Sequence, residues 1–358
     1  MKILVYPQDN NPYQRLLYQE LAKKFTIRYL VGPTKSHSVN LLLLPLMLFK
    51  YKLSGFGIFH IHWLYPFQFP FKQAFFHSFF FRLLYTAYFL SILVILKILG
   101  YRIVWTMHDL TSHEKIFLND LYISKIIFFM SSAQILNSDA TLERIKKLHF
   151  ITKNSYIVPH GNYVNFYTNT VSQIVSRRLL HIPKDEFVYL FFGRIEKYKG
   201  VDLLINLFNK ANIKGTRLLI AGNASDPSIK KSLQSINEKS IDIHIGFVPD
   251  DKVQVYMNAA NVVVLPFRKI TTSGSALLAL SFGKPIICPQ LGDLVEFPDD
   301  FTFFYNPQNS KNLLNTLVSV YKDRKNLGSK GRQALKYAQS ISWQEAATKT
   351  QLVYNSLD

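Results

Sequence analysis

The stretch Phe191 to Gly200, FFGRIEKYKG, sets Gly193, Arg194 and Lys199 on a turn between an apolar strand, Phe187 to Phe192, and an amphipathic helix, Val201 to Lys210. Two cations so placed suit an anion with two adjacent phosphates, because Arg grips oxygens through a planar fork while Lys supplies a mobile point charge. Further along, ITTSGSALLALSFGKPII puts the small residues Thr272, Ser273, Gly274 and Ser275 at the start of a predicted helix. Unpaired amides and the helix dipole favour a phosphate there.

A second kind of chemistry is suggested by VWTMHDLTSHE, Val104 to Glu114, where His108, Asp109, His113 and Glu114 follow a predicted strand. Several titratable groups at a strand end are what general acid–base catalysis needs. His60 and His62 alternate along another strand and so share a face. No third ligand is spaced with them, and the expectation is a lining role and no bound metal. His160, in His160-Gly161-Asn162, follows the last strand of the first half.

The elements that must hold these residues alternate between short apolar strands and helical patterns. Strands are predicted at Lys2 to Tyr6, Thr26 to Leu30, Ile58 to His62, Ile103 to Met107, Ala133 to Leu136 and Tyr156 to Val158. A second series is predicted at Phe187 to Phe192, Thr216 to Ala221, Ile241 to Ile245, Val262 to Leu265 and Pro285 to Cys288. Such alternation gives parallel sheets covered on both faces. The polar stretch Gly161 to Gln173 is the expected linker, and the last helix is predicted from about Trp343 to Leu357.

At 358 residues the chain exceeds the usual single core, so two domains are expected. A hydrophobic fraction of 48% excludes a disordered or fibrous protein. The one cysteine, Cys288, cannot form an internal disulfide, and Met1-Lys2 runs straight into the first strand, so a cytoplasmic setting is expected. The net charge of +19 implies attraction to polyanions. Zinc-ligand spacing, a recognition helix and RNA-stacking motifs are not evident, which favours an anionic membrane surface over nucleic acid as partner. The Phe-rich segment Phe67 to Leu99 is the most apolar candidate for a membrane span. Its longest uncharged run, between Arg82 and Lys97, holds fourteen residues, too short to cross a bilayer. The preferred reading is a buried helix covering the sheet, and the other is an interfacial helix with Lys72, Arg82 and Lys97 near headgroups.

In this order, each after a predicted strand, FFGRIEKYKG and ITTSGSALLALSFGKPII resemble the C-terminal half of GT-B glycosyltransferases of the family 4 type. The resemblance implies an α/β chain of two Rossmann-like doubly wound domains facing a cleft: residues 1–170 as acceptor domain, 171–340 as nucleotide-sugar donor domain, and 341–358 as a helix crossing back to the first. It implies donor-diphosphate binding by Gly193, Arg194 and Lys199, backbone phosphate contacts from Thr272 to Ser275, and nucleobase contacts at Phe247, Val248 and Pro249. His108 takes the place of a family histidine near the donor sugar. Asp9, Asn10, His62 and His160 are the candidates for acceptor or cleft contacts.

Family 4 members carry two glutamates eight residues apart around the second loop, the later one holding the donor ribose. Counted back from Gly283, those positions are Ile270 and Leu278, neither acidic. Glu296 is the candidate substitute, beside the plainer reading of an exposed carboxylate. The expected activity is hexosyl transfer from a UDP- or GDP-linked sugar to a hydroxyl of a glycan or polyprenyl-linked glycolipid in bacterial surface polysaccharide assembly, at the inner face of the membrane. No cofactor is expected beyond the nucleotide-sugar co-substrate. Without the glutamate pair, direct displacement with inversion is favoured, with Asp109 as base and Glu114, His113 or Asp9 behind it. The rivals are a nucleotide-sugar-binding partner subunit without activity, and a GT-B epimerase or phosphorylase.

Overall fold

A computed structural model describes residues 1–9, 11–64, 78–111 and 116–357. Asn10, His113 and Glu114, and the part of Phe67 to Leu99 up to residue 77, lie outside the described residues. The chain divides into two compact units, Met1–Gly161 with Trp343–Asp358, and Asn162–Ser342.

The first unit holds a six-stranded sheet of β1 (Lys2–Tyr6), β2 (Thr26–Tyr29), β3 (Ile58–Ile61), β4 (Arg102–Thr106), β5 (Ala133–Leu136) and β6 (Ser155–Ile157), in the order β2-β1-β3-β4-β5-β6. All its pairs are parallel. The crossovers are α1 (Pro12–Leu21), α2 (His37–Leu53), α3 (Phe79–Ile98), α4 (Asp120–Met130) and α5 (Asp139–Lys147). Period-two alternation sorts the strand side chains to the two faces. Leu4, Tyr6, Phe59, Ile61, Ile103 and Trp105 join the core beneath α2, α3 and α4. The opposite face receives His60 and Thr106, with α1 and α13 (Trp343–Asn355) packed together there. The helix predicted to cross back does so.

The second unit repeats the plan with β7 (Phe187–Phe192), β8 (Thr216–Gly222), β9 (Ile241–Ile245), β10 (Val262–Val264), β11 (Ile286–Pro289) and β12 (Thr302–Tyr305). The order is β12-β11-β10-β7-β8-β9, again all parallel. Its helices are α6 (Gln173–Leu179), α7 (Val201–Ala211), α8 (Pro227–Gln234), α9 (Asp250–Ala259), α10 (Gly274–Ser281), α11 (Ser310–Lys322) and α12 (Leu327–Ser340). In each sheet the strand order reverses once, between β1 and β3 and between β7 and β10. In open α/β sheets, ligands bind beyond the carboxyl ends of the strands at such a point.

One expectation is corrected. The uncharged run between Arg82 and Lys97 is by itself too short to span a bilayer, but the helix containing it, α3, is 20 residues long and its most apolar 18-residue stretch has a mean hydropathy of 2.0. Arg82 and Lys97 fall in or next to its end turns, so length and composition alone would permit a span. The preferred reading of a buried helix holds for one face only. Tyr85, Phe89, Ile92, Leu93 and Leu96 are buried, yet only 28% of the most apolar stretch is enclosed. Because α3 connects β3 to β4, which pair in register from Ile58 with Arg102, it is tied to the sheet as a crossover.

Candidate functional site

In the second unit the two predicted phosphate-binding segments meet. β7 ends at Phe192 and Gly193 turns with φ 132°, which L side chains rarely adopt. A Cβ on Gly193 would stand 3.1 Å from the Ser275 hydroxyl, so this turn and the first turn of α10 are in contact. The Gly193 amide donates to the Ala221 carbonyl at 3.0 Å, and that of Gly246 to the Gly222 carbonyl at 3.0 Å. A Cβ on Gly222 would fall 1.8 Å from the Gly193 carbonyl oxygen. The ends of β7, β8 and β9 are thereby drawn into a bare backbone surface.

The cations sit differently. Arg194 pairs with Glu196 and its side chain is 75% exposed. Lys199 is half-buried, its ammonium 4.1 Å from the centre of the Phe267 ring. The turn carrying it is clamped to the loop after β10. The Arg268 amide donates to the Tyr198 carbonyl at 2.8 Å, and its guanidinium donates to the Lys197 carbonyl at 2.7 Å and to Asp202 at 2.6 Å. Gly200, at φ 71°, lets the backbones touch, for a Cβ there would lie 2.0 Å from the Pro266 carbonyl oxygen. Phe267 and Arg268 were not anticipated. Their position just past a strand beside the sheet's reversal was the available signal.

At α10, Ser273 is committed to capping, its hydroxyl accepting from the Ala276 amide at 3.2 Å. Gly274 and Ser275 supply first-turn amides, which have no intrahelical acceptor by geometry. Thr272 precedes them. The loop after β11 closes on this segment: the Asp293 amide donates to the Thr271 carbonyl at 2.8 Å. Ile270 and Leu278, at the positions of the family glutamates, are 4% and 7% exposed and belong to the core. Glu296 is exposed, and its charge acts on Tyr337 of α12. Beyond β9, Phe247 is 81% exposed, followed by Val248 and by Pro249 at the cap of α9.

In the first unit, His60, His62 and His108 form a buried ladder. His62 Nδ1 lies 3.1 Å from His108 Nε2, and His62 Nε2 lies 2.6 Å from the Tyr18 hydroxyl. Tyr18 also reaches His60 Nδ1 at 2.9 Å, while His60 Nε2 meets the Thr106 hydroxyl at 2.7 Å. The Tyr354 hydroxyl of α13 meets His60 Nδ1 as well. His108 is stacked between Trp63 and the edge of Tyr13, both ring centres 4.6 Å away. Tyr13 also touches His160 and Trp343. Burial, the first cause, holds His60 and His108 down to about 3 and His160 to about 4; His62 is well below the ordinary value, with the charges of His60 and His108 adding. All four are neutral at physiological pH. Asp9 accepts from the Asn11 amide at 2.9 Å, in the loop that leads into α1. Asp109 is half-buried beside His108. Among the described residues no group of three or more His, Cys, Asp or Glu is placed to hold a metal.

Two doubly wound parallel sheets, each with its loops gathered where strand order reverses, define the GT-B fold of glycosyltransferases. The chain superposes along 99% of its length on sucrose-phosphate synthase from Thermosynechococcus elongatus, covering 98% of that chain, with TM-score 0.78 and 17% identity. It superposes on Anabaena HepE, solved with UDP, with TM-score 0.72 and 17% identity, covering 100% of this chain and 99% of that one. Residues 173–338, which lie in the second unit, match the family of glycosyl transferases group 1. Among curated relatives, GDP-mannose:glycolipid 4-beta-D-mannosyltransferase of Xanthomonas campestris pv. campestris is 26% identical over 241 residues. That match takes in 66% of this chain and 62% of the relative, so less than two thirds of the relative's length is spanned.

Proposed function

We propose that this protein is a hexosyltransferase that moves a sugar from a nucleoside-diphosphate sugar to a hydroxyl of a glycan or lipid-linked glycan. The observation that carries the reading is the junction in the second unit, where the Gly193 turn lies against Ser275 and Lys199 is held over Phe267. First-turn amides of α10, Lys199 and Arg194 would neutralise the diphosphate as it leaves, so the reaction needs no metal ion. The exposed ring of Phe247 offers a face to the nucleobase, and Thr272 and Ser275 offer hydroxyls to the phosphates.

In the first unit, His108 is proposed as a neutral hydrogen-bonding group toward the donor sugar. A histidine with its pKa near 3 is not matched to proton abstraction at neutral pH. Asp109 is proposed as the base for direct displacement, with Glu114, His113 or Asp9 behind it, and with Asp9, His62 and His160 as acceptor-side contacts. The Xanthomonas relative's name records a β-linked product. From an α-linked donor, a β product requires inversion, which agrees with direct displacement.

The acceptor is proposed to be a membrane-borne glycolipid of bacterial surface polysaccharide assembly, reached from the inner face of the membrane, on the strength of the +19 charge and the glycolipid in that relative's name. A second reading, a nucleotide-sugar-binding subunit without activity, is favoured by one observation: Ile270 and Leu278 are buried apolar residues where family 4 members carry glutamates. Transfer from a panel of UDP- and GDP-sugars to a lipid-linked acceptor separates the two. Product formation that depends on Lys199 supports the enzyme. Donor binding without turnover across the panel supports the subunit.

A further inference from the structure

Between Glu20 and Asp109 the chain has no acidic residue, while ten Lys and Arg fall there. This stretch contains α2 and α3, which lie side by side on one face of the first sheet. The Tyr88 hydroxyl donates to the Leu41 carbonyl, that of Tyr101 to the Leu48 carbonyl at 2.8 Å, and Lys52 Nζ to the Gly100 carbonyl at 2.8 Å. Their inner faces, with Leu41, Leu44, Leu48, Phe89 and Ile92, are already sealed in the core.

The outer faces are apolar as well. Leu42, Leu46, Phe49 and Leu53 recur at helical spacing along α2 and are 65%, 67%, 52% and 75% exposed. On α3, Phe80, Leu84, Val94 and Ile98 are 61%, 51%, 49% and 78% exposed. A groove of about 390 Å³ with Met47 and Tyr51 in its wall shares Leu46 and Lys50 with this side of α2. Lys50 and Lys97, both exposed, stand in the last turns of the two helices. Exposed apolar surface on this scale marks an interaction site.

We propose that the outer face of α2 and α3 is the surface by which the protein lies on an anionic lipid bilayer. The helices rest in the plane of the headgroups, with Leu46, Phe49, Leu84 and Ile98 entering the acyl boundary and the lysines meeting phosphates. An in-plane amphipathic helix buries its apolar side to a depth of about 5–10 Å. The charge pattern selects this occupant. A second copy would bring cations against cations with no carboxylate in the stretch to pair them, whereas anionic headgroups complement every charge present. A spanning arrangement would require α3 to leave the sheet that buries its other side. The inference deepens the membrane-borne acceptor proposed above. Vesicle binding needs no turnover, so either can fail while the other stands.

The test is co-sedimentation of the full chain with phosphatidylcholine vesicles with and without phosphatidylglycerol. Wild type is expected to bind the anionic vesicles, to bind phosphatidylcholine at least tenfold less, and to be released by alkaline carbonate. Leu46→Glu with Phe49→Glu should lower the partition coefficient at least tenfold while melting as wild type does. Ile174→Glu, an equally exposed apolar position in the second unit, should bind normally. Three results would overturn the proposal: a double variant that folds and binds as wild type, equal binding to both vesicles, or resistance to carbonate. A wild-type dimer in vesicle-free buffer that the double variant dissociates would assign the face to a second copy instead.

Discussion

Lys199→Ala gives the sharpest test of the diphosphate site. The ammonium is held over Phe267 on a turn clamped by Arg268, so its position is set before the donor arrives. Two unit charges about 4 Å apart interact by roughly 4 kcal/mol at an effective dielectric near 20. Removing one preorganised charge-stabilising donor from an active site costs about 2.7–4 kcal/mol, which is roughly 10²–10³ in rate. Lys199→Ala should therefore lower kcat/KM by 10²–10³, with most of the loss in kcat, because the leaving diphosphate carries more charge than the bound donor. Arg194 must first release Glu196, and an exposed pair of that kind is worth only about 0–1 kcal/mol. Arg194→Ala should then lose about 10². Phe267→Leu, which keeps the charge and removes the ring beneath it, should lose about two- to fivefold, in line with a cation–π contact of about 0.5–1 kcal/mol. Steady-state kinetics with a saturating acceptor, on variants whose melting matches wild type, decide the matter. If Lys199→Ala and Arg194→Ala both stay within threefold of wild type, the diphosphate assignment fails.

Two further outcomes follow from the first unit. His60, His108 and His160 are held at about 3, 3 and 4, below the unfolded value of 6.5, so the unfolded chain binds more protons and stability falls with acid. The loss begins as pH drops through 6.5 and amounts to about 1.4 kcal/mol per histidine for each unit below it, until the folded values are reached. Melts between pH 7.5 and 5 should show a steep decline that His60→Gln makes shallower, and a flat profile would contradict the buried neutral ladder. If Asp109 is the base, NMR of the anomeric proton should show inversion, activity should persist in EDTA, and Asp109→Asn should fold but lose about 10²–10⁴ in kcat. Retention would remove direct displacement and leave Asp109 as a donor contact.

What the chain reveals before folding divides by range. Apolar runs punctuated by glycine were enough to place β7, its cation-bearing turn and α7, and the small residues ahead of the apolar run Ala276 to Leu280 placed the start of α10. β12 was missed because Thr302–Tyr305 is short and follows an irregular acidic stretch. The clamp of Arg268 on the Lys199 turn joins two loops distant in sequence and leaves no local pattern. The same holds for the ladder from His108 to Tyr354, where only the shared face of His60 and His62 could be read from spacing. The capping role of Ser273 was foreseeable from its residue type, since Ser ahead of a helix caps it about as readily as it meets a ligand. For α3, counting uncharged residues between Arg82 and Lys97 missed that charges in or next to the end turns do not shorten a helix, and composition could not tell which side would be covered.

The first unit is interrupted: the chain leaves it at Gly161 and returns only at Trp343, and the last helix packs on α1 and brings Tyr354 to His60. During synthesis, β1 through β6 therefore emerge and wait while the whole second unit is translated. Until then, one side of the first sheet, with its histidines, has no α13 against it. The second unit is a continuous segment and can complete its own core first. A stop codon that removes only Trp343 onward would thus damage the part of the protein made earliest, and no single cut yields two fragments that each contain a complete unit.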